Sequence, residues 1–225
     1  HSNLRRQRQM CIRDRSQATA IASGVAGLTR EFIREQVGVS SPSSSLVKAA
    51  LINGARDLGT PDIPNAAEGW GEVNLERTVL PMDGSTPLDT YMDDKKVLSP
   101  GFGLLYSFSL DPSHGIDITL AWTDEAGSAI APQSEARLVN NLDLVLVGPD
   151  GTEWLGNDFS QGFTTTGGQA DEVNNVERIR VAPGALPAGA ADYVVKVLHR
   201  GGTQQDFALV TVSYTHLRAH ETADN

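Results

Sequence analysis

Ile116-Asp117-Ile118-Thr119-Leu120-Ala121-Trp122 alternates large apolar side chains with polar or small ones. A period of two sends successive side chains to opposite faces of an extended strand, so one face of this segment is apolar. Leu142-Asp143-Leu144-Val145-Leu146-Val147 repeats the signal and runs into the turn sequence Pro149-Asp150-Gly151. Val176 to Val181, Tyr193 to Leu198 and Phe207 to Val212 have the same character. Several short strands separated by Gly- and Pro-rich turns predict a β-sandwich over residues 98–212.

Upstream the period changes. Ile21, Val25, Leu28 and Phe32 recur at helical spacing, with Ala18, Ala20, Ala22, Gly24, Ala26 and Gly27 between them. Glycine inside a helix costs roughly 1 kcal/mol relative to alanine, so the small residues predict a helix packed closely on several sides. Ser41-Pro42 then predicts a cap and a first helical turn. Leu46, Val47, Ala50 and Leu51 form the stripe of that second helix, which Gly54 or Gly59 would end. Pro81, Gly84, Pro87, Asp93 and Asp94 break both periods and mark residues 81–97 as a linker.

The two ends carry a different signal. Met10-Cys11-Ile12-Arg13-Asp14 back-translates as ATG TGT ATA AGA GAC, and the reverse complement encodes Val-Ser-Tyr-Thr-His, the residues at 212–216. Opposite strands of one DNA element at both ends resemble translated sequencing-library adapters. Residues 1–15 and 213–225 are therefore expected to be adapter-derived and are set aside from the fold; a genuine basic arm is the alternative. Without them 12 basic and 25 acidic residues remain, a net charge of −13. That charge argues against nucleic acid as a partner, because phosphates need a basic surface. Cys11 is the one cysteine and lies in the expected adapter, so a disulfide scaffold is excluded. No apolar run reaches the length of a membrane span.

Ser16-Gln17-Ala18-Thr19-Ala20 leads directly into the small-residue helix. This resembles the nucleophile motif of subtilisin-like serine proteases, Gly-Thr-Ser-x-Ala-x-Pro before a buried helix. Ser16 matches the nucleophile and Ala18 the small residue after it. Ala20 stands where the family has proline, and Asp14-Arg15 stand where it has Gly-Thr. Leu46 to Ala55 looks like the next helix of these enzymes, and Gly69-Trp70-Gly71-Glu72-Val73-Asn74 like the segment that closes their catalytic domain. Leu138 to Leu144, Gly156-Asn157-Asp158 and Asn174-Asn175-Val176-Glu177 look like the C-terminal jelly-roll domain of the alkaline, oxidation-stable group.

The resemblance implies an α+β chain: residues 16–80 as the truncated, mainly helical C-terminal part of a subtilase α/β domain, then an all-β jelly-roll sandwich. Val25, Leu28 and Leu51 would then lose the sheet that should cover them. It implies a secreted serine endopeptidase acting on protein or peptide substrates, with Ser16 as nucleophile. A serine hydroxyl is a poor nucleophile until a base takes its proton, and a helix N-terminus favours developing negative charge. The catalytic Asp, His and oxyanion Asn of the family precede the serine, so this chain is expected to be inactive by itself. His114 reads as a turn residue and His199 as a strand residue facing solvent. Asp143, Asp158 and Asp171, with Asn174, crowd the loops and are calcium candidates, since hard cations take loop oxygens; a solvated acidic surface with Asx-turns explains them equally. A helix cap explains Ser16 equally. The competing function is a non-catalytic jelly-roll module binding carbohydrate, cell surface or protein; Trp122 and Trp154 are candidates for a sugar platform, but both fall in strand patterns and read as core.

Overall fold

The alternation of Ile116–Ala121 becomes a strand buried on both sides, and that decides the architecture. The fold is seen in a computed structural model that describes residues 16–59, 62–130, 137–187 and 191–224; the expected adapter residues 1–15 lie outside the described residues. Three α-helices, α1 (Gln17–Phe32), α2 (Ser44–Gly54) and α3 (Leu75–Val79), come first. A ribbon of β1 (Met82–Asp83) and β2 (Thr86–Pro87) follows. The remaining strands are β3 (Asp89–Leu98), β4 (Gly103–Leu110), β5 (Ile116–Ala121), β6 (Asn141–Val147), β7 (Glu153–Ser160), β8 (Phe163–Thr166), β9 (Val176–Val181), β10 (Ala191–Gly201), β11 (Gln205–Ser213) and β12 (Thr215–Asp224). They form a six-stranded sheet ordered β12-β4-β10-β6-β7-β8 and a four-stranded sheet ordered β3-β11-β5-β9.

The core between the two sheets joins Ile116, Ile118, Leu120 and Trp122 to Ile179, Phe207 and Leu209, and across the gap to Tyr106, Phe108, Leu144, Tyr193 and Val195. The back of the four-stranded sheet is covered too. There Ala121, Val176, Ala208, Val210 and Val212 pack with Leu46, Ala49, Ala50 and Ile52 of α2 and with Ile33. The polar partners of the alternation, Asp117 and Thr119, therefore meet a helix instead of water. The Nδ2 of Asn53, near the end of α2, donates to the carbonyl of Asp117 at 3.1 Å and to Thr119 Oγ1 at 3.2 Å.

This overturns the expected α+β arrangement. The described chain is mostly β-sheet, and its helices form no subtilase-type α/β unit. Among the described residues every strand pairing is antiparallel. The reason is packing: the apolar stripe of α2 is used up against the back of the four-stranded sheet. Residues 81–97 carry β1, β2 and most of β3, and β3 pairs with β11 from Asp89 to Leu98. The backbone of 215–224 pairs with β4 at the edge of the other sheet.

Local chemistry sets the helix ends. Ser43, not Ser41, caps α2: its Oγ accepts from Leu46 N at 3.0 Å and donates to Asp94 Oδ1 at 2.5 Å, while its N donates to Asp94 Oδ2 at 2.9 Å. One carboxylate on β3 thus ties the cap to the sheet. Asn74 caps α3 by accepting from Arg77 N at 3.0 Å. Gly54 closes α2 against α3, where a Cβ would come within 2.8 Å of the Thr78 backbone.

Two glycine substitutions should therefore have opposite signs. Gly54→Ala should lose about 1–3 kcal/mol, because the added methyl meets a backbone that has no room to yield. Gly24→Ala, mid-helix with nothing within 4 Å, should gain about 0.5–1 kcal/mol. Urea unfolding of both variants checks this; equal shifts would show that the α2–α3 contact does not form.

Candidate functional site

Ser16 stands exposed at the N-terminal end of α1. Its backbone is already helical, at φ −65° and ψ −38°, and its side chain makes no capping hydrogen bond. An N-cap normally has extended backbone and a side-chain oxygen on a free amide, so the capping explanation lacks its bond. The helix behind it is not buried as the small residues predicted. Thr29 is its one buried residue; Ile21 is 66% and Leu28 51% exposed, and Gly24 and Gly27 face open space. Val25 and Leu51 are half-buried.

No hydrogen bond links Ser16 to His114 or His199. His114 Nδ1 lies 2.8 Å from Asp83 Oδ2, and its ring centroid lies 4.7 Å from that of Tyr214 with the planes tilted by 39°. His199 does not face solvent: it is 2% exposed, and its Nε2 donates to the Thr203 carbonyl at 2.6 Å. Its place in β10 continues the inward alternation of Tyr193, Val195 and Val197.

The loop motifs converge on one end of the sandwich. Asn157 has a left-handed backbone, φ 64°, where β7 leaves β6. Its side chain replaces the lost ladder, donating to the Val176 carbonyl at 2.8 Å and accepting from Arg178 N at 2.9 Å. The Glu177 carboxylate fills the gap, and its Oε2 accepts from Leu144 N at 2.7 Å. Gly156 is required there, because a Cβ would come within 2.8 Å of Glu177 Cβ. Nearby, Asn140 Nδ2 donates to Gln205 Oε1 at 2.7 Å, and its Oδ1 accepts from Thr203 N at 2.6 Å. These side chains hold loops; none projects toward a substrate.

The calcium candidates are occupied by protein partners. Asp143 Oδ2 takes Arg200 Nε at 2.5 Å. Asp158 Oδ2 accepts from Thr165 Oγ1 at 3.1 Å. Burial opposes ionisation of Asp171, yet the side chains of Asn174 and Asn157 and the amides of Val173 and Asn174 hold its carboxyl below the usual range. Among the described residues no three His, Cys, Asp or Glu side chains converge to hold a metal. Trp122 and Trp154, at 1% and 4% exposed, are core residues and offer no sugar platform.

No family profile matches the chain. A relative does: the chain is 36% identical over 193 residues to the "Serine protease/ABC transporter B family protein tagA" of Dictyostelium discoideum. The match covers 79% of this chain and 11% of that protein, so the chain spans about a tenth of the relative's length. The relation is thus to a protein with a serine protease name. Among solved structures, the infectious bursal disease virus VP2 subviral particle aligns at TM-score 0.28 and 12% identity, over 59% of this chain and 36% of that one. A Sulfurospirillum deleyianum protein aligns at 0.25 and 8%, over 58% of this chain and 98% of that one. Neither likeness is close enough to carry an argument.

Glu177 gives a pH test of the sandwich corner. Burial, then the charges of Asp143 and Asp171, push its carboxyl well above the ordinary range, against the Leu144 amide and Arg200. The folded state therefore keeps a proton that the unfolded chain releases. Stability is fully present below the unfolded-state pKa and falls as pH rises through the folded-state one. Glu177→Gln retains the acceptor for Leu144 N and removes the titration. Its urea midpoint should exceed that of the parent near pH 8, with the gap closing towards about pH 4. A constant gap would show that Glu177 does not titrate in the fold.

Proposed function

We propose that the chain is the nucleophile-bearing C-terminal part of a subtilisin-like serine endopeptidase that cleaves protein or peptide substrates outside the cell. The observation that carries this reading is the match to a serine protease-named relative over 79% of the chain. A match of that share is longer than the strand-bearing residues 82–224, so it takes in part of the helical segment as well. In this reading the sandwich braces the helical segment through the α2 contact.

Ser16 has the geometry the role asks for in part. Its hydroxyl is exposed, free of a capping bond and at the positive end of a helix of 16 residues. The helix end favours negative charge developing on a substrate oxygen. The base that would take the hydroxyl proton is not supplied by His114 or His199, whose rings are engaged elsewhere. In this reading the acid, the base and the oxyanion amide come from the parent's upstream sequence.

The purified chain should not hydrolyse casein. Expressed behind its own upstream reading frame it should, and Ser16→Ala should cut that rate by about 10³-fold or more. Inhibitor-sensitive turnover by the chain alone would refute the missing-partner reading. An unchanged rate in the Ser16→Ala protein would refute the nucleophile.

A further inference from the structure

A cleft of about 370 Å³ opens where the helices meet the four-stranded sheet. Asn53 and Arg77 line it from the helical side, Met82 and Asp83 from the β1–β2 ribbon, and Asp117 and Arg180 from the sheet. Its charges do not cancel within the protein. Asp117 is taken by Arg178, whose Nε donates to Oδ1 at 2.8 Å and whose Nη2 donates to Oδ2 at 2.7 Å. Asp83 is taken by His114. Two guanidinium groups are left facing the cleft.

Arg180 keeps an ion pair with Asp117 through Nε at 3.6 Å, beyond hydrogen-bond range, and among the described residues its guanidinium donates no hydrogen bond. Its guanidinium lies 5.0 Å over the Phe163 ring, which fixes its plane. Among the described residues the side chain of Arg77 has no hydrogen bond or ion pair. Burial disfavours the charge on Arg180; Asp117 supports it, Arg178 and Arg77 oppose it, and Asp57 supports it. Such a guanidinium stays charged at any ordinary pH and offers a planar fork. Two guanidinium groups in a concave site strengthen the local field on an incoming anion, here in a chain of net charge −10.

We propose that this cleft binds the carboxylate of a peptide, received by Arg180 and Arg77. The fork of Arg180 matches a carboxylate in two parallel hydrogen bonds. The apolar lining from Leu88, Ile116, Phe163 and Val212 accepts the body of the residue that bears it. The volume suits a few atoms of a side chain or terminus, at the small end of ligand pockets. The carboxylate can be a peptide C-terminus or an Asp or Glu side chain. The site does not depend on the peptidase reading.

Calorimetric titration of the full chain with three acetylated tripeptides tests it. One has a free C-terminus, one is amidated, and one is amidated but carries a glutamate. The free acid should bind at least about tenfold more tightly than the uncharged amide. The glutamate amide shows whether a side chain serves as well, and either order of the two acids supports the site. Arg77→Gln should weaken the acid about tenfold and leave the unfolding midpoint unchanged. Arg180→Lys, which keeps the charge and loses the fork, should also weaken it. Equal binding of acid and uncharged amide, unchanged affinity in Arg77→Gln, or no heat at millimolar peptide would each overturn the proposal.

Discussion

Arg178 is fully buried, and its charge must be met inside the protein. Asp117 meets it with two hydrogen bonds, and the carbonyl of Asn53 accepts a third at 2.9 Å. The first partner lies on β5, the second at the end of α2, and Arg178 itself on β9. Three elements far apart in sequence are thereby locked to one guanidinium. Removing one partner of such a pair costs about 3–5 kcal/mol, because the remaining charge stays out of water. Replacing the whole pair by apolar groups can be neutral, so the pair fixes position more than it adds stability. It sets where α2 lies across the sheet, and everything at the seam follows from that placement.

Two further polar ties restrain the same helix. Asp94 reaches from β3 to the cap at Ser43, and Ser45 Oγ lies 3.0 Å from Thr123 Oγ1 beyond the end of β5. The apolar contact between α2 and the sheet can slide, since hydrophobic attraction has no direction. Hydrogen bonds at both ends of α2 remove that freedom. The cleft arises from the same geometry: α3 sits against Gly54, which carries Arg77 to the mouth, while β9 carries Arg180 to the wall.

How much of this was legible in the sequence follows from which face each residue meets. The strands at 116–121, 141–147, 176–181, 191–201 and 205–213 could be read because one face of each is apolar. β4 carries the same signal in Tyr106, Phe108 and Leu110, all buried, and was readable on the same terms. β3 was hidden because Asp93, Asp94, Lys95 and Lys96 look like a linker. Asp94 is polar because it caps a helix 51 positions away, and Asp93 because it accepts from the Tyr106 hydroxyl at 3.0 Å. Asp117 and Thr119 show the same limit: a period of two shows that two faces differ, not what covers the second. His199 was misread although the alternation reaches it: it follows Tyr193, Val195 and Val197 on the inner face of β10, and the Thr203 carbonyl takes its ring N–H.

The site was legible in a different way. Ser16 was found through a resemblance in a short motif, and the structure adds only its exposure and missing cap. Arg77 and Arg180 carry no motif at all; they are 103 positions apart and meet only because the helix is locked to the sheet. A sequence can advertise a cluster whose members are neighbours in the chain, or whose spacing follows a strand or helix period. A cleft at a seam has neither, so the charge left over there shows only after each buried acid has been assigned its partner. Asp117 looks like the natural counter-ion of Arg180 by distance along the strands. Its two oxygens are already committed to Arg178 and its carbonyl to Asn53. The same interaction that holds the helix in place therefore leaves the second arginine open to a ligand.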